Sequence, residues 1–223
     1  YGIVTFFYTR IFTATQYGVI TELYAWMVLL LIILTYGMET GFFRFSQNKE
    51  NYEKVYSTTL LSLLITSLFF LILVNIFIAP VSAALKYKDN HDYIRMFAAI
   101  VAIDAFSAIP FARLRREGRP IIFSAIKIAN VVITLLAVVF LLIIAPGLYE
   151  KSHGWFRQVY DPGYGVGYVF LANLIGSVST LLMLLPFIII KKPVFDRAIW
   201  TKLMNYSFPL LITGLSGSIN DTL

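Results

Sequence analysis

The stretch "IPFARLRREGRP", residues 109–120, decides the fold, because it places four arginines between two strongly apolar segments. Residues 128–149, which follow it, include no charged side chain. A helix needs about 20 mostly apolar residues to cross a bilayer, so this pattern predicts a short basic turn between two membrane-spanning helices. Gly118 and Pro120 are typical of the end of one helix and the start of the next, and we expect Pro110 to help end the first helix.

The composition of the whole chain is that of a membrane protein. Hydrophobic residues make up 59% of the chain and charged residues 13%, whereas soluble domains carry about 25% charged residues. The predicted fold class is all-α, a polytopic transmembrane helical bundle, because a helix satisfies its own backbone hydrogen bonds in lipid. We predict spans that include residues 17–45, 55–85, 93–112, 128–149, 162–190 and 206–223.

The two ends of the chain suggest a fragment, since it opens on Tyr1 and stops inside an apolar segment. We interpret residues 1–8 as the end of a truncated first helix. Residues 1–190 would then form an amino-terminal six-helix membrane lobe. Residues 191–205 would form a basic amphipathic linker between lobes, with Trp200 dipping into the inner leaflet. Residues 206–223 would begin a seventh helix and a second lobe.

Lysine and arginine are unevenly divided between the two sets of connections. The connections after the second, fourth and sixth spans carry eleven of the eighteen, the alternate connections six, and Lys127 lies within a span. The positive-inside rule places the richer set in the cytoplasm, and with it the amino terminus of a multi-pass protein of the cytoplasmic membrane. The hairpin arginines either orient the chain and attract anionic membrane lipids or, through Arg113 and Arg116, bind a phosphate at a cavity mouth.

Ionisable side chains inside the spans are the first candidates for function, because a charge at membrane depth normally faces a bundle interior or water. Asp104 and Lys127 each lie roughly 12 to 14 Å from the basic turn, on adjacent antiparallel helices. One hypothesis is a buried ion pair that fixes these two helices to each other. The alternative is that Lys127 contributes positive charge to a central cavity and that Asp104 tunes it. Glu39 either pairs with Arg44 or lines the inner mouth.

Small and polar residues follow one face of two neighbouring spans. At about 100° per residue, these faces hold Ser124, Lys127, Asn130 and Thr134 in one span, and Asn173, Gly176, Ser177 and Thr180 in the next. Close helix packing explains such faces in many membrane proteins. The alternative is that they line a water-filled lumen.

Residue patterns that carry catalytic chemistry are scarce in this chain. His91 and His153 lie in predicted external loops without the spacing of a metal or nucleophile site, and no phosphate-binding glycine loop is present. The net charge of +6 is divided between the two membrane sides, which is a poor match to nucleic-acid binding. We therefore expect no enzyme activity, catalytic residue, metal, cofactor or nucleic-acid partner.

Four segments carry a family resemblance in their order along the chain: "FTATQYG" (12–18), "YGMETGFFRF" (36–45), "AIDAFSAIPFARLRREGRPIIFSAIKIANV" (102–131) and "YSFPLLITGLSGSIND" (206–221). Together they resemble the bacterial polysaccharide-biosynthesis flippases of the multidrug/oligosaccharidyl-lipid/polysaccharide exporter superfamily. The resemblance implies two six-helix lobes around a central cavity that works by alternating access. It also implies translocation of undecaprenyl-diphosphate-linked oligosaccharide from the inner to the outer leaflet, for O-antigen, lipopolysaccharide or capsule assembly.

Specific residues follow from combining this resemblance with the charges and polar faces. A positively charged cavity would bind the anionic diphosphate and the sugars through Lys127, Asn130, Asn173, Ser177, Arg113 and Arg116. Asp104 or Glu39 would couple transport to a proton or a sodium ion. The alternatives are a drug or organic-cation antiporter of the same superfamily, a flippase for the peptidoglycan precursor, a membrane-embedded glycan polymerase or ligase, and a scaffold for a glycan-assembly complex.

Overall fold

The computed structural model describes residues 12–85, 87, 90–151, 156–190 and 193–222, with side chains described as far as residue 211. In chain order its helices are α1 (Ala14–Thr35), α2 (Met38–Phe45), α3 (Tyr52–Ile76), α4 (Ile78–Ala84), α5 (His91–Arg116), α6 (Pro120–Val139), α7 (Ala145–Lys151), α8 (Phe156–Val159), α9 (Gly167–Ile188) and α10 (Arg197–Thr222). A π-helical segment, Phe140–Ile144, joins α6 to α7.

Within the described residues, five helical stretches are long and apolar enough to cross a membrane. They are Ala14–Phe45, Lys49–Ile76, His91–Arg116, Pro120–Lys151 and Gly167–Ile188. The predicted fold class is therefore confirmed: the protein is an all-α, multi-pass membrane bundle. The predicted remnant of a first helix at residues 1–8 lies outside the described residues.

The first of these stretches consists of two helices rather than one. Thr13 caps α1 by accepting a hydrogen bond from the Gln16 backbone, as capping residues commonly do. Tyr36 and Gly37 then adopt left-handed conformations with φ of 33° and 70°, which a continuing helix does not permit. The break turns α2 away from α1. It thereby places Glu39, near the start of α2, beside the basic turn between α5 and α6.

The turn between α5 and α6 follows the predicted pattern with one correction. Gly118 has a φ of 67° and Pro120 is the first residue of α6. Pro110, however, lies inside α5, which continues to Arg116, so the expectation that it helps end the helix is wrong. Pro110 is buried. Membrane helices tolerate an internal proline because their surroundings, such as neighbouring helices, satisfy the backbone groups that it leaves unpaired.

Helix α5 is the central helix of the bundle and packs against α1, α3 and α9. Small residues such as Ala98, Ala102 and Ala105 are buried along it, and small side chains let membrane helices approach closely. Large apolar side chains on the outer faces of α3 and α6, such as Phe69 and Leu136, remain exposed. These exposed faces form the lipid-contacting surface of a membrane bundle.

The basic connections lie at one common end of the bundle. The Arg116 guanidinium donates to the carbonyl of Ser46, and the Tyr56 hydroxyl donates to the carbonyl of Phe187. The backbone N–H of Val194 donates to the Ser57 hydroxyl. These contacts unite the connection after α2, the α5–α6 turn, the end of α9 and the segment before α10. That this end faces the cytoplasm stays a prediction.

The predicted linker and the predicted start of the seventh helix share one helix, α10, with Pro209 inside it. Asp196 caps α10 through the backbone N–H groups of Ala198 and Ile199. The Trp200 indole donates to the Ser62 hydroxyl over 3.0 Å. Its side chain therefore points into the bundle, whereas we expected it to point into the inner leaflet. The division of the chain into two lobes stays a prediction.

Candidate functional site

A cavity of about 920 Å³ lies between α1 and α6, with α5 and α9 behind it and α2 at one end. Hydroxyl, amide and charged groups from all five helices line it together with apolar side chains. The polar lining residues are Tyr17, Thr21, Tyr24, Thr35, Glu39, Asp104, Ser107, Arg115, Lys127, Asn130, Thr134, Asn173, Ser177 and Thr180. A polar cavity of this kind within membrane-spanning helices marks a functional site by default.

Six of the eight residues predicted from the sequence to act in transport line this cavity: Glu39, Asp104, Lys127, Asn130, Asn173 and Ser177. The structure therefore brings both coupling candidates and four of the binding candidates together.

Lys127 lines the cavity, and among the described residues no carboxylate forms an ion pair with it. Its Nζ lies 4.3 Å from the centre of the Phe111 ring on α5, a distance at which a cation is attracted to the ring face. The ion pairs of the described residues do not include one between Lys127 and Asp104. Asp104 lies beside the Ser177 hydroxyl, and the charge of Lys127 also acts on it. The ammonium hydrogens of Lys127 are thus available to a ligand.

The polar faces of α6 and α9 both pack together and line the cavity, so the two explanations offered for them apply at once. A Cβ atom at Gly176 would overlap the Thr134 hydroxyl, which shows how closely the helices approach. Beside that contact, the Asn130 amide donates to the Thr180 hydroxyl over 2.9 Å. The Asn173 amide donates to the Val169 carbonyl one turn earlier in α9.

Arg115 is the hairpin arginine that lines the cavity. Its Nη2 lies 2.5 Å from Oε1 of Glu39, so Glu39 pairs with Arg115 rather than with Arg44. The rings of Phe43 and Phe123 lie on the guanidinium at 5.3 and 5.4 Å. Arg44 instead lies 4.5 Å from the Tyr206 ring.

Arg113 and Arg116, which we expected at the cavity, lie elsewhere. Nε of Arg113 is 2.7 Å from Glu117, and its Nη1 donates to the Phe187 carbonyl. Arg116 lies 3.9 Å from the Tyr52 ring. The physical reason is helical phase: at about 100° per residue, Arg115 lies within about 20° of Asp104 around α5, whereas Arg113 lies about 180° away.

Glu117 is the centre of the contacts that hold the α5–α6 turn. Its carboxylate accepts hydrogen bonds from Arg113 and from the Tyr52 hydroxyl, and it lies 3.3 Å from Arg119. Partial burial alone would raise its pKa, but the hydrogen bonds from Arg113 and Tyr52 and the charges of Arg113 and Arg119 hold the pKa below its ordinary value of 4.5. Two of the four hairpin arginines, Arg113 and Arg119, therefore serve this structural cluster.

The cavity wall on α1 was missed by the sequence reasoning. Tyr17, Thr21 and Tyr24 line the cavity, and their spacing of four and three residues is that of one helix face. This spacing is a signal that could have been read from the sequence. Aromatic rings and hydroxyls of this wall face the amide and hydroxyl groups of α6 and α9.

The formal charge of the lining is balanced rather than positive. Among the lining residues, the cations Arg115 and Lys127 are matched by the carboxylates Glu39 and Asp104. The expectation of a positively charged cavity is corrected accordingly. Within the described part of the chain, no group of three or more His, Cys, Asp or Glu side chains is arranged to hold a metal ion.

Comparison with known proteins adds one finding. A family model described as "Polysaccharide biosynthesis protein" matches residues 7–150, which is more than half of the chain. The matched region includes α1 to α6 and all but the last residue of α7, and with them Glu39, Asp104, Arg115 and Lys127. No curated protein and no solved structure matches the chain significantly.

Proposed function

The chain belongs to the polysaccharide biosynthesis protein family, and from this premise we propose that it is a flippase for lipid-linked oligosaccharide. It moves undecaprenyl-diphosphate-linked oligosaccharide from the inner to the outer leaflet of the cytoplasmic membrane. The observation that carries the proposal is the cavity, which holds two cations and many hydroxyl and amide groups between membrane-spanning helices. Neither a diphosphate nor a glycan crosses hydrocarbon unaided, because burial of unpaired polar groups is strongly unfavourable.

The cavity offers different chemistry at its two parts. At the end nearest the α5–α6 turn, Lys127 and Arg115 provide charge and N–H donors for the diphosphate, and guanidinium matches phosphate bidentately. Farther from that turn, Asn130, Asn173 and Ser177 provide donors and acceptors for sugar hydroxyls. The lipid tail stays in the bilayer. Arg113 and Arg116 stabilise the turn in this scheme and do not contact the substrate.

Alternating access requires that the cavity open to each membrane side in turn, driven by an ion gradient. Asp104 and Glu39 are the carboxylates that line the cavity, and we propose that one of them takes up the coupling proton or sodium ion. Asp104 is the better candidate, because it forms no ion pair among the described residues, whereas Glu39 contacts a guanidinium.

One observation favours a second candidate function, an organic-cation antiporter of the same superfamily. Aromatic side chains such as Tyr17, Tyr24 and Phe111 line the cavity, and aromatic faces attract cations. Lys127 counts against this function because it repels a cationic substrate. The pairing of Glu39 with Arg115 removes a carboxylate that such a substrate would use.

The test is depletion of the protein in cells, complemented by the wild type or by variants. With Lys127→Ala, lipid-linked glycan is expected to accumulate on the inner leaflet while the variant still inserts in the membrane. Lys54→Ala, an exposed lysine near the start of α3 outside the cavity lining, should restore transport. The proposal fails if glycan reaches the outer leaflet at the normal rate in depleted cells that have no second transporter. Organic-cation resistance lost on depletion would instead support the antiporter.

A further inference from the structure

We propose that Glu39 is a built-in counter-ion for Arg115, one that a phosphate group of the ligand displaces. The inference rests on the proposed function, since it specifies how the same cavity admits an anionic head group. In this view Arg115 is a substrate-contacting residue, and the Glu39 carboxylate occupies the phosphate position on Arg115 until the ligand binds.

The surroundings of Arg115 leave its donors directed at the cavity. The Phe43 and Phe123 rings lie on the guanidinium but accept no in-plane N–H hydrogen bond. Across the described residues, Glu39 is the one hydrogen-bond acceptor that Arg115 contacts. A guanidinium has five N–H donors in a fork that fits a carboxylate or a phosphate in the same way. A phosphate can therefore occupy the position of the Glu39 carboxylate.

The exposure of this ion pair shows that it can be exchanged. The Arg115 and Glu39 side chains are 39% and 38% exposed, whereas those of Arg113 and Glu117 are 18% and 19% exposed. Exposed ion pairs contribute little to stability, while separation of a buried, hydrogen-bonded pair is strongly unfavourable. Arg113 therefore stabilises the fold through a mostly buried ion pair, whereas the exposed Arg115 is available to bind a ligand.

The position of Glu39 is set by packing and not by the ion pair itself. Gly37 and Gly41 flank it in sequence, and a Cβ atom at either would overlap backbone or side-chain atoms of Ser207 on α10. Gly37 also has a φ of 70°, which favours glycine. Helix α2 is therefore seated on α10. A phosphate that takes Arg115 removes one of the contacts that join α5 to this α2–α10 unit.

The charges of the lining support displacement. While Glu39 and Asp104 balance Arg115 and Lys127, the cavity lining carries no net formal charge. Phe111 and Phe123 lie edge to face, with ring centres 5.3 Å apart. They place Lys127 and Arg115 at the same end of the cavity. A diphosphate at that end would meet both cations once the Glu39 carboxylate has moved away.

The experiment measures binding of inorganic pyrophosphate to the purified protein in detergent by calorimetry. Glu39→Gln removes the competing charge with little change in shape, and we expect it to tighten binding about two- to fivefold, the equivalent of one exposed ion pair. Arg115→Gln should weaken binding about tenfold. In the Arg115→Gln background, Glu39→Gln should have no further effect, because the two residues act through one contact. Glu39→Ala should behave as Glu39→Gln does.

Glu53→Gln is the matched control. Glu53 lies 3.9 Å from Arg113, is well exposed and does not line the cavity, so its neutralisation should leave the affinity unchanged. Unchanged or weaker binding in both Glu39 variants, with thermal unfolding like that of the wild type, would overturn the counter-ion proposal. The anion site itself would survive that result if Lys127→Gln still weakens binding. If neither Lys127→Gln nor Arg115→Gln affects pyrophosphate, the proposed function loses its anion site as well.

Discussion

The ammonium nitrogen of Lys127 lies 4.3 Å from the centre of the Phe111 ring, so a cation on α6 rests on an aromatic face of α5. The relationship is reciprocated, because Arg115 on α5 lies 5.4 Å from the Phe123 ring on α6. In each helix the ring and the cation are four residues apart, which places them on one face. The crossed pairs hold two cations beside the cavity, and an aromatic ring does not neutralise the charge it holds.

Substitution of Phe111 tests whether the ring positions Lys127. Phe111→Leu keeps an apolar side chain but removes the ring face, a contact worth about 1 kcal/mol. We expect the affinity for inorganic pyrophosphate to fall about fivefold, as measured by calorimetry on the purified protein. Phe69→Leu, on the lipid-facing surface of α3, is the control and should leave it unchanged. Equal affinities in the two variants would show that Lys127 needs no ring.

The contact between α6 and α9 makes a second prediction. Gly176→Ala adds a Cβ atom that overlaps the Thr134 hydroxyl and lies 3.2 Å from the Asn130 amide. We expect it to destabilise the protein by about 1–3 kcal/mol, as overpacking commonly does. Thermal unfolding in detergent measures the effect.

Two further variants identify its cause. Thr134→Ala added to Gly176→Ala removes the overlapping oxygen and should restore part of the lost stability. Gly147→Ala should not destabilise, because no atom lies within 4 Å of the added Cβ. If Gly176→Ala and Gly147→Ala unfold at the same temperature, the polar faces of α6 and α9 do not depend on close packing.

The helices and the polar cavity lining of α6 and α9 could be predicted from the sequence because both depend on local periodicity. Uncharged runs of sufficient length specify spans, and the positions of Asn130, Asn173 and Ser177 follow from one helix face each. To predict which hairpin arginine lines the cavity, the helical periodicity of α5 has to be continued through Pro110. Because Pro110 was expected to help end that helix, the phase that connects Asp104 to Arg115 was not extended, and Arg113 and Arg116 were selected instead.

Contacts between residues distant in sequence were beyond reach for a different reason. Glu39 has Arg44 nearby in the chain, but the left-handed turn at Tyr36 and Gly37 directs α2 toward Arg115 instead. Amphipathic spacing led us to expect Trp200 in the leaflet. Spacing alone does not reveal that the Ser62 hydroxyl on α3 accepts a hydrogen bond from its indole N–H. Each outcome depends on which helices become neighbours, and a single sequence does not contain that information explicitly.

The cluster around Glu117 predicts a dependence of stability on pH. Its folded pKa is below the ordinary value of 4.5, so the unfolded chain binds a proton on this group more readily than the folded protein does. The stabilisation is therefore fully present above about pH 4.5 and is lost as the pH falls through the lower folded pKa. The charges that face the carboxylate are Arg113 and Arg119, with the Tyr52 hydroxyl as neutral donor.

Thermal unfolding of the wild type and of Glu117→Gln between pH 7 and pH 3 measures this dependence. The variant should be less stable at pH 7, and the difference should shrink as the pH falls below about 4.5. Glu50→Gln, an exposed carboxylate whose side chain makes none of these contacts, is the control. A constant difference between the wild type and Glu117→Gln across this range would exclude the ionised carboxylate as the source of the stability.

Asn173 allows the sugar-binding part of the cavity to be tested apart from the anion-binding part. Asn173→Leu removes an amide that faces the cavity, and we expect severalfold slower transfer of lipid-linked glycan with unchanged pyrophosphate affinity. Its hydrogen bond to the Val169 carbonyl, at 2.8 Å, lies within its own helix. Asn75→Leu is a close control, because the exposed Asn75 makes the equivalent bond to the Leu71 carbonyl at 2.9 Å near the end of α3 and does not line the cavity. Equal glycan transfer in the two variants would mean that Asn173 contacts no sugar. A loss of pyrophosphate affinity in Asn173→Leu would mean that the two parts of the cavity are not separate.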